Sequence, residues 1–561
     1  MLKGRKVVIV GGVAGGATAA ARLRRCDERA HIVLFERGAY VSFANCGLPY
    51  YVGEVIPRRD QLLLQTVEGL SHRFNLDIRN LSEVIAIDRQ NQTVTVREVQ
   101  SGRSYEESYD TLLLSPGAQP IVPPIPGLDA AENVFTLRNI PDTDAIKCFV
   151  DQQQPKIAVV VGGGFIGLEM AENLLHRGIQ VTLVEQLNQV MTPIDYEMAA
   201  LVHEHLREKG VRLVLEDGVQ AFAQKGRQVV LRSGTVLEND MVLLSIGVRP
   251  ENTLAVQAGL AVGKRGGIIV DDYLRTSDEH IYAIGDAIEV KDFVTGSPTQ
   301  IPLAGPANRQ ARLVADIIAG KKKRNVATLG TAIVQVFDLT VATTGANEKT
   351  LRGLGWPYAV VHTHPASHAT YYPGAQSMAL KLLFHPETGA LYGAQGVGRE
   401  GVDKRIDVLA TAIRAGLTVF DLQDLELTYA PPYSSAKDPV NMLGYVASNV
   451  VEGTVHTIQW SDIDEVVAHG GLLIDVREPE EVAKGSIPGS VNIPLGDLRQ
   501  RLSELSTVQQ PVYVTCQVGL RGYLATRILE AAGFNAMNVD GGYTTYSSVH
   551  DKVPASQVSL K

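Results

Sequence analysis

The apolar positions of this chain fall in short unbroken runs, each followed by a glycine-rich or polar turn and then by a helix-like stretch. Val7-Val8-Ile9-Val10 reads as a buried strand, glycines follow, and an alanine-rich segment closes on Arg22, Arg24 and Arg25. A second strand, His31 to Phe35, completes a strand-helix-strand unit. The succession returns at Lys156 to Val161, with a helix through Glu169 and Glu172 and a strand from Val181 to Val184. It appears a third time near the C-terminus, where Leu472-Leu473-Ile474 ends in Asp475-Val476-Arg477 and Val512 to Thr515 delivers Cys516 into a loop before a helix from about Tyr523. Such repetition predicts an α/β protein.

The turns narrow the chemistry. Gly11-Gly12-Val13-Ala14-Gly15-Gly16 joins the first strand to its helix, and Glu36 ends the second strand 20 residues after Gly16. This is a dinucleotide fingerprint: the helix start offers unpaired N–H groups to a pyrophosphate, and the acidic residue accepts from ribose hydroxyls. Val13 departs from it, standing where a second glycine lets the backbone approach phosphate. The later copy is complete, with Gly162, Gly164 and Gly167 and then Glu185, 18 residues after Gly167. Glu185 would repel a ribose 2′-phosphate and is followed by Gln186 and Leu187 rather than an arginine, which favours NADH over NADPH. Two such folds in one chain suggest two nucleotides face to face, a resident flavin and an exchanging nicotinamide.

Composition excludes several alternatives. The 561 residues, 45% hydrophobic and 20% charged, are too many for one core and too apolar for disorder. The formal charge is -9, and the short run Lys321 to Arg324, read as a solvated turn between domains, is the one basic cluster, so no nucleic acid is expected as a partner. Lys3, Arg5 and Lys6 before an apolar run imitate an export signal, but strand, turn and helix fit better. No apolar run approaches the roughly 20 residues that cross a bilayer, so no membrane partner is expected. Cys26, Cys46, Cys148 and Cys516 form neither a CxxC pair nor a metal-ligand cluster. Reduced thiols in a cytoplasmic protein without a metal site are the expectation.

Tyr109-Asp110-Thr111-Leu112-Leu113-Leu114-Ser115-Pro116-Gly117 and Thr276 to Asp286, ending Ala283-Ile284-Gly285-Asp286, resemble the further FAD motifs of the pyridine nucleotide-disulfide oxidoreductases. The resemblance implies that Pro116, Gly117, Gly285 and Asp286 join Gly11, Gly12, Val13, Ala14, Gly16 and Glu36 in holding FAD, with Asp286 on the ribityl chain. It also implies a split FAD domain (1–148 and 272–322) around an NADH domain (149–271). Most of these reductases carry a cysteine pair beside the flavin; here Cys46 stands alone. Ser42-Phe43-Ala44-Asn45-Cys46-Gly47 is similar to the coenzyme A-disulfide reductases, with Ser42 and Asn45 framing the nucleophile, whereas single-cysteine NADH oxidases and peroxidases lack that asparagine. This polar frame near a helix start is expected to lower the thiol pKa. Arg22 and Arg25, three apart on the first helix, match positions that contact the coenzyme A nucleotide in that family; either could equally serve the helix dipole. Residues 323–446 resemble the dimerisation domain, implying a homodimer. Tyr371 and Tyr429 best match the partner-subunit tyrosines that lie over the cysteine, with Tyr372 and Tyr433 as competitors. His364 and His368, nearby, read as structural.

Residues 458–553 resemble a rhodanese domain, through Leu472 to Arg477, Gly485-Ser486-Ile487-Pro488-Gly489 and Cys516-Gln517-Val518-Gly519-Leu520-Arg521. Ser486 replaces the usual histidine. The loop would aim backbone N–H groups at a Cys516 thiolate or persulfide, Arg521 would add charge and close it, and its length resembles sulfurtransferases rather than the related phosphatases. The combined expectation is an NADH-dependent FAD enzyme that reduces coenzyme A persulfide, polysulfide or disulfide through Cys46, coupled to sulfur transfer at Cys516. Two alternatives stand beside it: an NADH peroxidase or oxidase cycling through a cysteine sulfenic acid, and a non-catalytic sulfur carrier or redox sensor.

Overall fold

The computed structural model describes residues 4–505 and 511–550. They form two compact units, the first holding the residues up to Asn188 with Gly210–Gly330, the second Gln189–Lys209 with those from Thr331 onward.

In the first unit Lys6–Val10 is the central strand of a five-stranded parallel sheet, ordered Ile281–Ala283, Thr111–Leu114, Lys6–Val10, His31–Phe35, Asp77–Arg79. Both faces are covered, which is why the run is apolar throughout: Val7, Val8 and Ile9 are all buried. Helix Ala14–Cys26 packs beside helix Ala304–Ile318, with Ala17, Ala19 and Ala20 buried in that layer. Chain order reverses at Lys6–Val10, so its C-terminal end opens at a topological switch point, where α/β sheets bind ligands. The fifth strand comes from chain that returns only after a second sheet has been built.

That second sheet, also parallel, runs Arg212–Val214, Gln180–Val184, Ile157–Val161, Met241–Leu244, Val134–Phe135. Helix Phe165–His176 follows its central strand. The two sheets are the two Rossmann-like folds that the glycine turns predict.

The second unit contains a five-stranded antiparallel sheet, ordered Ala332–Val336, Leu339–Gly345, Leu391–Gly398, Met378–Phe384, Ala359–Thr363, against which helix Val402–Ala415 packs. Helix Pro439–Val451 ends at Glu452, and the next strand starts at Thr457, so a short turn takes the place of a linker. A parallel sheet follows, ordered Thr457–Ile458, Ala536–Val539, Val512–Thr515, Leu472–Asp475, Val491–Asn492. Successive side chains of Leu472–Asp475 serve opposite faces: Ile474 packs with Val512, Val514 and Leu529, and Leu473 with Ile487, Val539 and Tyr546. The helix expected from about Tyr523 begins at Leu520, because Gly519, with φ +98°, turns the chain into it at once. Helix Tyr196–Glu208 belongs to this unit and packs on helix Gly542–Val549.

Candidate active site

Gly11 (φ +98°) and Gly162 (φ +105°) open two copies of one turn. A Cβ on Gly11 would strike the Ser115 carbonyl oxygen at 2.1 Å, and one on Gly162 that of Ser245 at 2.4 Å. On Gly16 and Gly167 it would meet the carbonyl of the turn's own first glycine, at 1.8 and 1.9 Å. The first and third glycines are thus required by packing inside the protein. The middle position has a different role: a Cβ on Gly164 meets nothing within 4 Å, which leaves backbone open to a phosphate. Val13 narrows that opening in the first copy, where the N–H groups at the start of helix Ala14–Cys26 remain for an anion.

The acidic residues act in parallel. Glu36 accepts from the N–H groups of Gly12 and Gly38, both at 2.8 Å, and Glu185 from those of Gly163 at 2.8 Å and Leu187 at 2.9 Å. Each carboxylate is pinned at the end of its turn with lone pairs to spare for ribose hydroxyls. Around the first turn, Ser115 leads into Pro116 and Gly117 (φ +75°), where a Cβ would meet open space, and Ile284, beside Gly15, leads into Gly285 (φ +75°) and Asp286. Burial pushes the Asp286 carboxyl up, with Arg138 pulling the other way. Both turns therefore fit a dinucleotide.

Cys46 stands at the mouth of the first turn. Ser42, in the left-handed region at φ +48°, donates its N–H to the Gly12 carbonyl at 2.9 Å, which ties the thiol segment to the glycine turn. Asn45–Gly47 make a 3-10 turn that leaves Asn45 and Cys46 exposed. Here the structure corrects the expected acidity. The thiol pKa is raised, first by burial of its inner side and then by the Glu169 and Asp286 carboxylates. The following helix, Leu48–Val52, has only five residues, too few for a strong N-terminal dipole. Glu169 is itself pushed up to about 7 by burial, opposed by the Tyr50 hydroxyl, which donates to its Oε1 at 3.3 Å, and reinforced by Glu172.

Arg22 and Arg25 part company. Arg22 donates through Nε and Nη2 to Asp316 Oδ1 at 3.0 and 2.7 Å, while Arg25 is exposed and caps the Ala21 carbonyl. Asp316, fully buried, also takes the Lys321 and Lys323 ammonium groups and the Cys26 thiol. Burial works against its ionisation, but these donors hold its carboxyl well below the usual range. Lys321 and Lys323 thus fold onto Asp316 instead of forming only a solvated turn, and three cations share one carboxylate, a net positive surface suited to phosphate.

In the second unit the Tyr371 and Tyr429 hydroxyls meet at 2.8 Å, and both rings are exposed. Tyr372 instead packs edge-on against His368. Tyr433 is exposed and outside the hydroxyl pair.

Cys516 sits in a built cradle. It is 1% exposed, and its Sγ accepts the Gly519 N–H at 3.1 Å. The Cys516 carbonyl accepts from Tyr543 N–H at 2.7 Å, so the loop hangs on the start of helix Gly542–Val549. A Cβ on Gly542 would lie 2.5 Å from that carbonyl oxygen, so the close approach needs glycine. Arg521 closes the loop indirectly: both terminal nitrogens bond Glu481 at 2.6 Å and tie the helix to Pro479–Val482, so much of its charge is spent there. Beneath, Arg477 bonds Asp475 and Gln517 and lies over the Tyr543 ring.

Tyr50, Glu169, Glu481 and Gly542 are site residues that sequence reasoning passes over. Only Glu169 carried a usable signal, its place two residues after the third glycine of a fingerprint.

Family models match nearly the whole chain: pyridine nucleotide-disulphide oxidoreductase over residues 5–311, the dimerisation domain of that family over 331–439, and a rhodanese-like domain over 459–548. Coenzyme A disulfide reductase of Staphylococcus haemolyticus is 38% identical over 449 residues, 80% of this chain and 100% of that protein. The structure of reduced Bacillus anthracis CoADR-RHD superimposes with a TM-score of 0.96 at 60% identity, covering 97% of this chain and 98% of that one. An NAD-dependent persulfide reductase from A. fulgidus gives 0.90 at 38% identity, covering 96% and 100%.

Proposed function

The chain belongs to the pyridine nucleotide-disulphide oxidoreductase family, and from that premise we propose that it is an NADH-dependent FAD enzyme reducing coenzyme A persulfide or disulfide at Cys46, with sulfane sulfur handled at Cys516. The observation that carries this reading is the hydrogen bond from Ser42 N–H to the Gly12 carbonyl, which sets one exposed thiol beside a dinucleotide turn. FAD, held by the first turn with Pro116, Gly117, Gly285 and Asp286, supplies two-electron redox chemistry when bound. The second turn and Glu185 hold NADH.

The Cys46 thiolate attacks the coenzyme A-bound sulfur of the persulfide, expels hydrosulfide and forms a mixed disulfide with coenzyme A. Two electrons from NADH and one proton release the coenzyme A thiol and restore the thiolate. Arg22, with Lys321 and Lys323, binds the phosphates of the substrate. The Tyr371–Tyr429 pair, contributed by a second copy in a homodimer, supplies a proton to the departing sulfur; its exposed rings suit an interface. The N–H cradle of Cys516 stabilises an anionic persulfide, which favours persulfide over disulfide as the substrate. Among the described residues no helix is long and apolar enough to cross a membrane, and reactive thiols of this kind suit a cytoplasmic setting.

The test is anaerobic NADH oxidation with sulfide assayed. Fast turnover on coenzyme A persulfide, one sulfide released per NADH, is expected. Slow turnover with coenzyme A persulfide and disulfide alike, against fast turnover with peroxide or oxygen, would overturn the reading.

A further inference from the structure

Within the second unit a buried ionic chain runs from the antiparallel sheet to the Cys516 loop. Lys381, fully buried, pairs with Glu197 and Glu348 and lies 2.9 Å from Asp195. Glu197 Oε1 is 3.0 Å from His362 Nε2, and His362 Nδ1 is 2.6 Å from Asp540 Oδ2. The His362 backbone N–H donates to the other Asp540 oxygen at 3.0 Å. The side chains of His362, Glu197 and Asp540 are at most 4% exposed. Asp540 follows strand Ala536–Val539 and precedes Gly541-Gly542, the turn that carries the Cys516 loop. Gly541 (φ +67°) presses on His362, where an added Cβ would lie 2.9 Å from the histidine's own. Two residues on, His364 Nε2 meets Thr545 Oγ1 at 2.8 Å on the same helix.

We propose that His362 is a positioning residue for sulfur transfer: as an imidazolium clamped between Glu197 and Asp540, it locks the turn bearing the Cys516 loop to the antiparallel sheet, so that Cys516 works from a fixed place rather than on a swinging domain. It rests on the function above only in treating Cys516 as a sulfur nucleophile.

Charge supports the clamp. Both ring nitrogens of His362 face carboxylates, so both must donate, which only the protonated ring does. Removing the proton would take the ring donor from one of the two carboxylates and the counter-charge from both, leaving Asp540 to the His362 backbone N–H and Glu197 to Lys381, and an uncompensated buried charge is strongly destabilising. The neighbouring His364 faces a hydroxyl and His362 itself, and burial followed by that like charge lowers it to about 4. His362 is raised to about 9, because Asp540 and Glu197 outweigh burial. A histidine raised in the folded state contributes stability that is fully present below its unfolded pKa of about 6.5 and lost as pH rises through about 9.

Hydrogen exchange on the flavin-loaded enzyme, without substrate, tests this. After correction for intrinsic base catalysis, protection across 516–524 and 541–549 should fall progressively from about pH 6.5 and level off above about pH 9. His362→Gln and Asp540→Asn should each speed exchange there about tenfold at pH 7 and cut kcat/KM for thiosulfate-to-cyanide sulfur transfer by a similar factor, about 1.4 kcal/mol. The double variant, which leaves a neutral amide pair, should recover most of both. Wild-type exchange in the single variants, a double variant no better than either, or no decline in wild-type protection between about pH 6.5 and 9 would each overturn the clamp; the last needs no variant to fold. Exchange uses no sulfur substrate, so a failed persulfide assay beside an intact decline would sink only the proposed function.

Discussion

The two reactive thiols are built on opposite plans. Cys46 and Cys516 each stand in a glycine-containing turn that leads into a helix, yet Cys516 is enclosed and receives an N–H from its own loop, while Cys46 is exposed on one side and has its pKa raised by burial of the other and by two carboxylates. One loop carries a backbone donor to its own sulfur. In the proposed reaction the other depends on what is brought to it: an electron acceptor in the glycine turn, cations near the substrate phosphates, and phenols from a second copy. A sulfur carrier can be self-sufficient; a redox relay must stay responsive to its companions.

Exchanging serine for each nucleophile gives the largest separation. Cys46→Ser is expected to reduce NADH-driven sulfide release from coenzyme A persulfide by roughly 10³-fold or more while sparing thiosulfate-to-cyanide transfer, and Cys516→Ser to do the reverse. Loss of both activities in either variant would end the division of labour. Next, Gly542→Ala pushes a methyl group onto the Cys516 carbonyl at a left-handed backbone position, which costs about 1–3 kcal/mol and should slow sulfur transfer roughly 10–100-fold, read against unchanged flavin reduction by NADH.

A smaller effect is expected from Arg22→Ala, which should raise KM for coenzyme A persulfide about tenfold with little change in kcat, and less for a persulfide lacking the 3′-phosphate. The smallest comes from Glu169→Gln. It removes one of the carboxylates that disfavour the Cys46 thiolate, so the midpoint of Cys46 alkylation against pH should fall by a few tenths. Because Glu169 is raised to about 7 in the fold, its ionisation penalises the native state progressively as pH climbs from about 4.3 to 7. The glutamine variant should therefore gain thermal stability over that window and hold the gain above it; an unchanged difference across the window would refute the assignment.

Much of this was legible in the sequence. The glycine turns were, because backbone that must touch backbone permits only glycine: Gly11 and Gly162 lie against carbonyl oxygens contributed by strands far along the chain, yet the requirement is written at the glycine itself. The resemblance singled out Tyr371 and Tyr429 but did not announce that their hydroxyls meet, a contact between residues 58 positions apart, whereas the Tyr372 ring packs on His368. The acidity of Cys46 was not legible, since local polar neighbours suggested a lowered pKa while burial of its inner side, reinforced by Glu169 and Asp286 from far along the chain, raises it. Nor was the destination of Arg521, because nothing near it announces Glu481. The clamp on Asp540 was least visible, for it joins residues 178 positions apart.

The first parallel sheet holds a consequence for how the protein is made. Its strand Thr111–Leu114 finds its outer neighbour only in Ile281–Ala283, roughly 170 residues later, a loop long enough to make closure slow. A ribosome must therefore synthesise the whole second dinucleotide fold while the first still shows a bare apolar edge, the kind of surface that invites wrong pairing. Prompt folding of the inserted segment, whose flanks Ala118–Pro120 and Val248–Pro250 pair with one another, would shorten that interval by drawing the two halves of the outer fold together.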